Sequence, residues 1–141
     1  MRPVDVLFER YGEAHRNPAN RTIHWICVPL ITWSGLALLW SWTPLAALVL
    51  IVAALAFYLW MSPLLALGML AVTAAMVATM PLFGAWLLPA ALVIFVVAWI
   101  GQFVGHRIEG RKPAFIDDVK FFLVGPAWLV ASLYQRARIR Y

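Results

Sequence analysis

Three side chains in this sequence have the chemistry of a transition-metal site: His15, His24 and His106, its three histidines. Imidazole is the commonest protein ligand for such metals, and three neutral imidazoles leave coordination positions open for substrate or water. Their linear spacing carries no signature. His15 and His24 stand nine residues apart with Pro18 between them, which matches none of the short ligand motifs. A lone histidine at a membrane interface ordinarily serves as an amphipathic anchor or a hydrogen-bonded surface group. The metal reading depends on whether folding gathers the three.

The elements that must do the gathering are set by an unusual charge distribution. Hydrophobic residues make up 65% of the 141 positions and charged residues 12%, about half the charged share of a soluble domain. Every Lys, Arg, Asp and Glu lies at or before Arg21 or at or after Arg107. A soluble domain needs polar cover over its surface and has none to offer across so long a middle. Lipid supplies that cover instead. The net charge of +5 sits beside apolar helices, where cytoplasmic loops carry Lys and Arg. This points to anionic lipid headgroups and away from nucleic acid. The single cysteine, Cys27, forms no intrachain disulfide and implies no oxidising compartment. Met1 to His15 lacks the basic start and apolar core of a cleavable signal.

The predicted architecture is all-α and polytopic, a single membrane domain over residues 1–141. Pro3 to His15 reads as an amphipathic helix, because Val4, Leu7, Phe8, Tyr11 and His15 fall on one stripe. Asn17-Pro18-Ala19-Asn20 is turn chemistry, with Asn20 placed to cap the next helix. Four apolar runs of spanning length follow, at 24–42, 44–60, 63–80 and 89–105. Proline at a first helical position fits the last three starts. Merging the second and third would give a helix far longer than the hydrocarbon core of about 30 Å, so a hairpin is expected. Trp25, Trp40, Trp42, Trp60, Trp86 and Trp99 fall mostly near predicted span ends, where amphipathic rings settle. The run 119–134, interrupted by Gly125-Pro126, is too short to span and reads as an interfacial or re-entrant element. Residues 135–141 form a basic tail suited to the membrane surface.

Four spans return both termini to one side, and both basic segments flank the outer spans while the connecting loops carry no charge. The positive-inside rule assigns that side to the cytoplasm, the inner-membrane face in a bacterium. His15 then ends the surface helix, His24 opens the first span and His106 closes the fourth, all at one depth. Asn17, Asn20, Arg21 and Gln102 share the layer and can orient imidazoles by hydrogen bonds. Glu109, a turn beyond His106, can be a ligand, a partner to a ligand or a solvated side chain. Arg16, Arg21 and Arg107 can attract a carboxylate head group, or be ordinary flanking charge. Cys27 reads as a buried inert thiol. Ion and proton transport ranks last, because the spans lack the ionisable groups it requires. An uncharged interior suits an acyl chain with its head at the cytoplasmic mouth.

Two blocks carry a resemblance. Tyr11-Gly12-Glu13-Ala14-His15-Arg16-Asn17-Pro18-Ala19-Asn20-Arg21-Thr22-Ile23-His24-Trp25, with Val28-Pro29 after it, resembles a Y-x-x-x-H-x-N-x-x-N-x-x-x-H pattern. Gln102-Phe103-Val104-Gly105-His106-Arg107-Ile108-Glu109-Gly110-Arg111-Lys112-Pro113-Ala114 resembles a G-H-x-x-x-E-x-x-x-P-A-like segment of the same family, with the acid, Glu109, three rather than four residues after His106. That family is the membrane 2-hydroxy fatty acid dioxygenases, known from fungal phytosphingosine breakdown. The resemblance implies iron(II)-dependent α-oxidation, in which a 2-hydroxy fatty acid reacts with O2 and yields the fatty acid shorter by one carbon. It implies that His15, His24 and His106 hold Fe(2+), with membrane lipid around the chain. Imidazoles accept zinc and manganese as well, so the choice of iron comes from the resemblance.

Two rivals stand beside it. One is a haem-binding electron-transfer protein with His24 and His106 as axial ligands. The other is a non-enzymatic lipid-binding or assembly protein whose histidines are interface residues.

Overall fold

A computed structural model describes residues Met1–Tyr141, and every regular element in it is helical. The order is α1 (Pro3–Glu13), α2 (Pro18–Trp42), α3 (Pro44–Met61), α4 (Pro63–Thr79), a 3-10 segment (Met80–Trp86), α5 (Leu87–Glu109), a 3-10 turn (Ala114–Ile116) and α6 (Phe121–Arg136).

Proline sets most of the boundaries. A residue before proline is pushed to extended backbone, while proline itself is pre-organised for a first helical turn. Asn17, Thr43 and Ser62 are each extended and precede Pro18, Pro44 and Pro63, the first residues of α2, α3 and α4. Asn17 accepts a hydrogen bond from the Ala19 amide at 2.9 Å and Ser62 one from Leu65 at 3.3 Å. The sequence placed the cap of α2 at Asn20. Because Pro18 starts the helix earlier, Asn17 takes the cap and Asn20 lies inside α2, fully buried. Likewise α5 begins at Leu87, so Pro89 sits within its first turn rather than at its start. Between α4 and α5 the chain leaves helical geometry at Gly84 (φ 52°, ψ −128°), a conformation only glycine adopts without strain.

Helix α5 runs antiparallel to α2. The pairings of α2 with α5 fix this direction: Asn20 and Ile23 approach Gly105, Cys27 approaches Gly101, and Gly35 approaches Phe95. Gly101 and Gly105 are the small residues of a G-x-x-x-G step, which lets two helices close to backbone distance. A Cβ on Gly105 would lie 2.5 Å from Asn20 Oδ1, and one on Gly101 would lie 2.7 Å from Cys27 Sγ. Helices α1 and α6 pack together across the end where α2 begins and α5 ends. Tyr58 of α3 donates to the Leu123 carbonyl at 2.7 Å, and Tyr134 of α6 to the Leu64 carbonyl at 2.9 Å.

Three stretches are long and apolar enough to cross a membrane: Pro18–Trp42, Pro44–Met61 and Pro63–Glu109, the last comprising α4 and α5. Their outer faces are apolar too. Leu45, Val52, Leu67, Val93 and Val97 are among the exposed large hydrophobics, a mantle that water does not tolerate over such an area. The run from Phe121 is one continuous helix despite Gly125-Pro126.

Candidate active site

The structure brings the three histidines together. His15 lies just past α1, His24 on the first turns of α2 and His106 on the last turn of α5. The ring centroid of His15 is 4.5 Å from that of His24 and 4.9 Å from that of His106. His15 and His24 are fully buried and His106 is 4% exposed.

Hydrogen bonds engage one ring nitrogen of His15 and one of His24 and leave the other of each free. His15 Nδ1 lies 2.8 Å from the Tyr11 carbonyl oxygen, which can only accept, so Nδ1 carries the proton and Nε2 holds a lone pair. Burial pushes the His15 imidazole down to about 4, offset in part by that bond, so the ring is neutral at physiological pH. His24 Nε2 pairs with the Tyr11 hydroxyl at 2.5 Å. Burial raises the Tyr11 phenol above its ordinary range, so it stays protonated, and its oxygen can accept from His24 Nε2–H, the tautomer that leaves the lone pair on Nδ1. What remains is His15 Nε2, His24 Nδ1 and His106 Nδ1, each buried and without a partner. Buried polar atoms are nearly always paired, so three orphans on neighbouring rings call for a ligand. The donor set suits a first-row divalent metal. As the side chains stand, no three His, Cys, Asp or Glu residues have their donors already disposed to hold an ion. The chemistry of the donors, three neutral imidazoles, is what fits a metal.

A polar clamp behind the rings fixes where they sit. The Glu109 carboxylate accepts from the Arg16 amide at 3.0 Å, the Asn17 amide at 2.7 Å and Asn20 Nδ2 at 3.2 Å. It thus ties the end of α5 to the α1–α2 connection and makes no hydrogen bond to a histidine ring. Asn20 Nδ2 also donates to the Ala14 carbonyl at 3.0 Å, and Arg21 Nε to the His15 carbonyl at 2.7 Å. Gln102, one turn before His106, is buried with Oε1 unpartnered, and Asn20 Oδ1 is also unpartnered. Arg16 and Arg107 are exposed. Cys27 is buried and free.

Sequence reasoning passed over the aromatic walls. Tyr11 stacks on His15 with centroids 4.4 Å apart, and Trp128 of α6 lies 5.7 Å from His15 and 5.3 Å from His24. Gly125 admits Tyr11 against α6: a Cβ there would meet the Tyr11 hydroxyl at 2.8 Å. The signal for Tyr11 was present, four residues before His15 on the same helical stripe. Trp128 had none.

From the histidines a path leads into the bundle. A small space of about 50 Å³ beside Tyr11, His15, Gln102 and His106 adjoins an apolar cavity of about 630 Å³ between α2, α3, α4, α5 and α6. Ile31, Thr32, Trp99, Phe115, Phe122 and Pro126 line both, and so form the neck between them. No charged residue lines the larger cavity, whose size is that of a small-molecule site.

A family model described as "2-hydroxy-palmitic acid dioxygenase Mpo1-like" matches residues 1–137. No curated protein and no solved structure matches the chain.

Proposed function

The chain belongs to the 2-hydroxy-palmitic acid dioxygenase Mpo1-like family, and on that premise we propose that it is an iron(II)-dependent membrane dioxygenase. Its substrates would be a 2-hydroxy fatty acid and O2, and its product the fatty acid shorter by one carbon. The observation that carries this reading is the burial of three imidazoles, each with an unpartnered nitrogen, at the head of an apolar cavity.

His15, His24 and His106 would hold the metal. Bound there, Fe²⁺ supplies the redox chemistry that lets O2 react with an organic acid. The three imidazoles are uncharged and would leave a bound divalent ion its full charge toward an anionic head group. The rest is the work of this chain's own side chains. The Tyr11 carbonyl fixes the His15 tautomer, and the Tyr11 hydroxyl orients His24. Trp128 and Tyr11 close over the rings and exclude water, which strengthens every polar interaction inside. The neutral acceptor Gln102 Oε1 is free to receive the substrate hydroxyl. The acyl chain occupies the uncharged cavity, which holds the reacting end at the histidines. Leu50, Phe103 and Phe122 line that cavity and are also 43%, 51% and 45% exposed, so it opens sideways onto the face that meets lipid. A membrane-dissolved substrate would enter there.

We read α2, α3, α4 and α5 as four crossings, with both charged termini at the cytoplasmic surface. The free space beside the histidines, about 50 Å³, is far short of a porphyrin, which weighs against the haem reading. The decisive experiment is anaerobic purification, metal analysis and O2 uptake with 2-hydroxypalmitate. Stoichiometric iron with substrate-dependent O2 uptake supports the proposal. Lipid binding with no metal and no O2 consumption overturns it in favour of a carrier.

A further inference from the structure

Helix α2 touches every level of the path from the site into the bundle. His24 is at the site, Val28 lines the small space, Ile31 and Thr32 line the neck, and Gly35 and Leu36 line the large cavity alone. From His24 to Gly35 is eleven residues, about 17 Å along the axis at 1.5 Å per residue. Beyond them the path stops. Leu36 lines the cavity and belongs to the packed cluster with Ala37, Met80 and Ala91, against which Ile51, another lining residue, also packs. The cavity therefore has an open side and a closed far end.

At that closed end stands a glycine where its neighbours are large. Gly35 is helical, so no left-handed backbone requires it. No close helix contact requires it either: a Cβ there would meet only Phe95 Cε2, at 3.9 Å, an ordinary contact. Gly101 and Gly105 are the opposite case, filled by a neighbour's atoms at 2.7 Å and 2.5 Å. A helix glycine without a steric reason is destabilising relative to Ala. What its missing side chain leaves is space in the cavity.

We propose that Gly35, opposite Phe95, sets the length of acyl chain the enzyme accepts. The chain's methyl end would come to rest in the space a side chain at position 35 would fill. This rests on the cavity holding the substrate's tail, and so on the function proposed above. A hydrophobic pocket discriminates through its free volume, and a blocked floor rejects the longer chain while leaving shorter ones unaffected.

The test uses the full-length protein in detergent and two readouts. One is displacement of a fluorescent acyl probe by unhydroxylated octanoate, palmitate and stearate, which needs no turnover. The other is kcat/KM for the matching 2-hydroxy acids with iron present. For Gly35→Leu we expect palmitate and 2-hydroxypalmitate to lose about tenfold or more, while the eight-carbon acids stay within about twofold. Gly35→Trp should move the cut-off to shorter chains still. Phe95→Ala should act in the opposite direction and improve stearate relative to palmitate, and it keeps the test open should a bulky residue at 35 prevent folding. Equal losses at all lengths, or none, would overturn the proposal while wild-type turnover left the enzymatic reading intact. Length-graded binding shifts with no wild-type turnover would uphold the ruler and sink the dioxygenase.

Discussion

The two ends of the bundle are built on opposite terms. At one end His15, Asn20, His24, Gln102 and His106 are buried together, and a carboxylate tied to two backbone amides braces them. At the other, the packed cluster is Leu36, Ala37, Met80 and Ala91, while Trp42 and Trp86 stand 79% and 74% exposed. The difference follows from what surrounds each. Lipid covers an apolar surface as well as protein does, so the distal end needs little packing of its own. Buried polar groups have no such external partner, and every one must be placed by the chain. Precision is concentrated where polarity is buried.

Breaking the histidine end should therefore cost far more than breaking the distal one. His15→Ala, His24→Ala or His106→Ala should each abolish iron retention and lower turnover by more than the about 10–100-fold that loss of an outer partner costs a metal site. Trp86→Ala, at the exposed distal rim, should leave both within about twofold. Metal content and O2 uptake on the same preparations check the pair. Equal effects at the two ends would remove the contrast.

The next effect down is at the clamp. Glu109→Gln keeps the shape but turns one acceptor into a donor facing backbone N–H groups of Arg16 and Asn17. Metal affinity should fall about 10–100-fold, and titration of the apo protein with Fe²⁺ measures it. A variant binding iron as wild type does would show that Glu109 holds the helices and not the site.

How much of this was visible in the sequence differs between the same two regions. The helices were legible because charge stops at Arg21 and resumes at Arg107, and because prolines mark the starts of α2, α3 and α4. The three histidines were legible once those helices were counted, since topology alone puts them at one depth. The clamp was not. Glu109 had three roles open to it, because its partners are backbone amides 92 and 93 residues away and a backbone amide leaves no trace in a side-chain pattern. Asn20 was misplaced for a related reason: a turn-forming residue type says nothing of whether its partner is local or across the bundle. Gly125-Pro126 read as an interruption of α6, yet Gly125 is where Tyr11 fits and the helix continues through Pro126.

Glycines sharpen the contrast at the scale of stability. Gly105→Ala drives a Cβ to 2.5 Å from Asn20 Oδ1 and 3.1 Å from Ile23 Cγ2, at the seam of α2 and α5 behind the histidines. Such overpacking costs about 1–3 kcal/mol, and thermal unfolding in detergent should show a lower midpoint. Gly12→Ala, on α1 with nothing within 4 Å of the added atom, should be neutral or stabilise by about 0.5–1 kcal/mol. A drop at both positions would mean that helix packing, and not the buried polar layer, sets the tolerance.

The smallest effect expected is the most informative about the site. Tyr11→Phe removes one hydroxyl and nothing else from the ring that stacks on His15. Leaving His24 Nε2 buried and unpaired costs about 1–3 kcal/mol, so the thermal midpoint should fall modestly, and the vacated space against Gly125 is small. With the hydroxyl gone, His24 Nε2 joins the ring's Nδ1 as a buried nitrogen without a partner, and the imidazole is free to turn. Iron affinity should fall by up to about tenfold, the lower bound for losing an outer partner. Because the His15 tautomer depends on the Tyr11 carbonyl and not its ring, that histidine should be unaffected, and Tyr11→Ala should cost more through lost stacking. Iron titration of both variants separates the two contributions. Should Phe at this position bind iron as tightly as Tyr, the hydroxyl is packing and His24 is positioned by α2 alone.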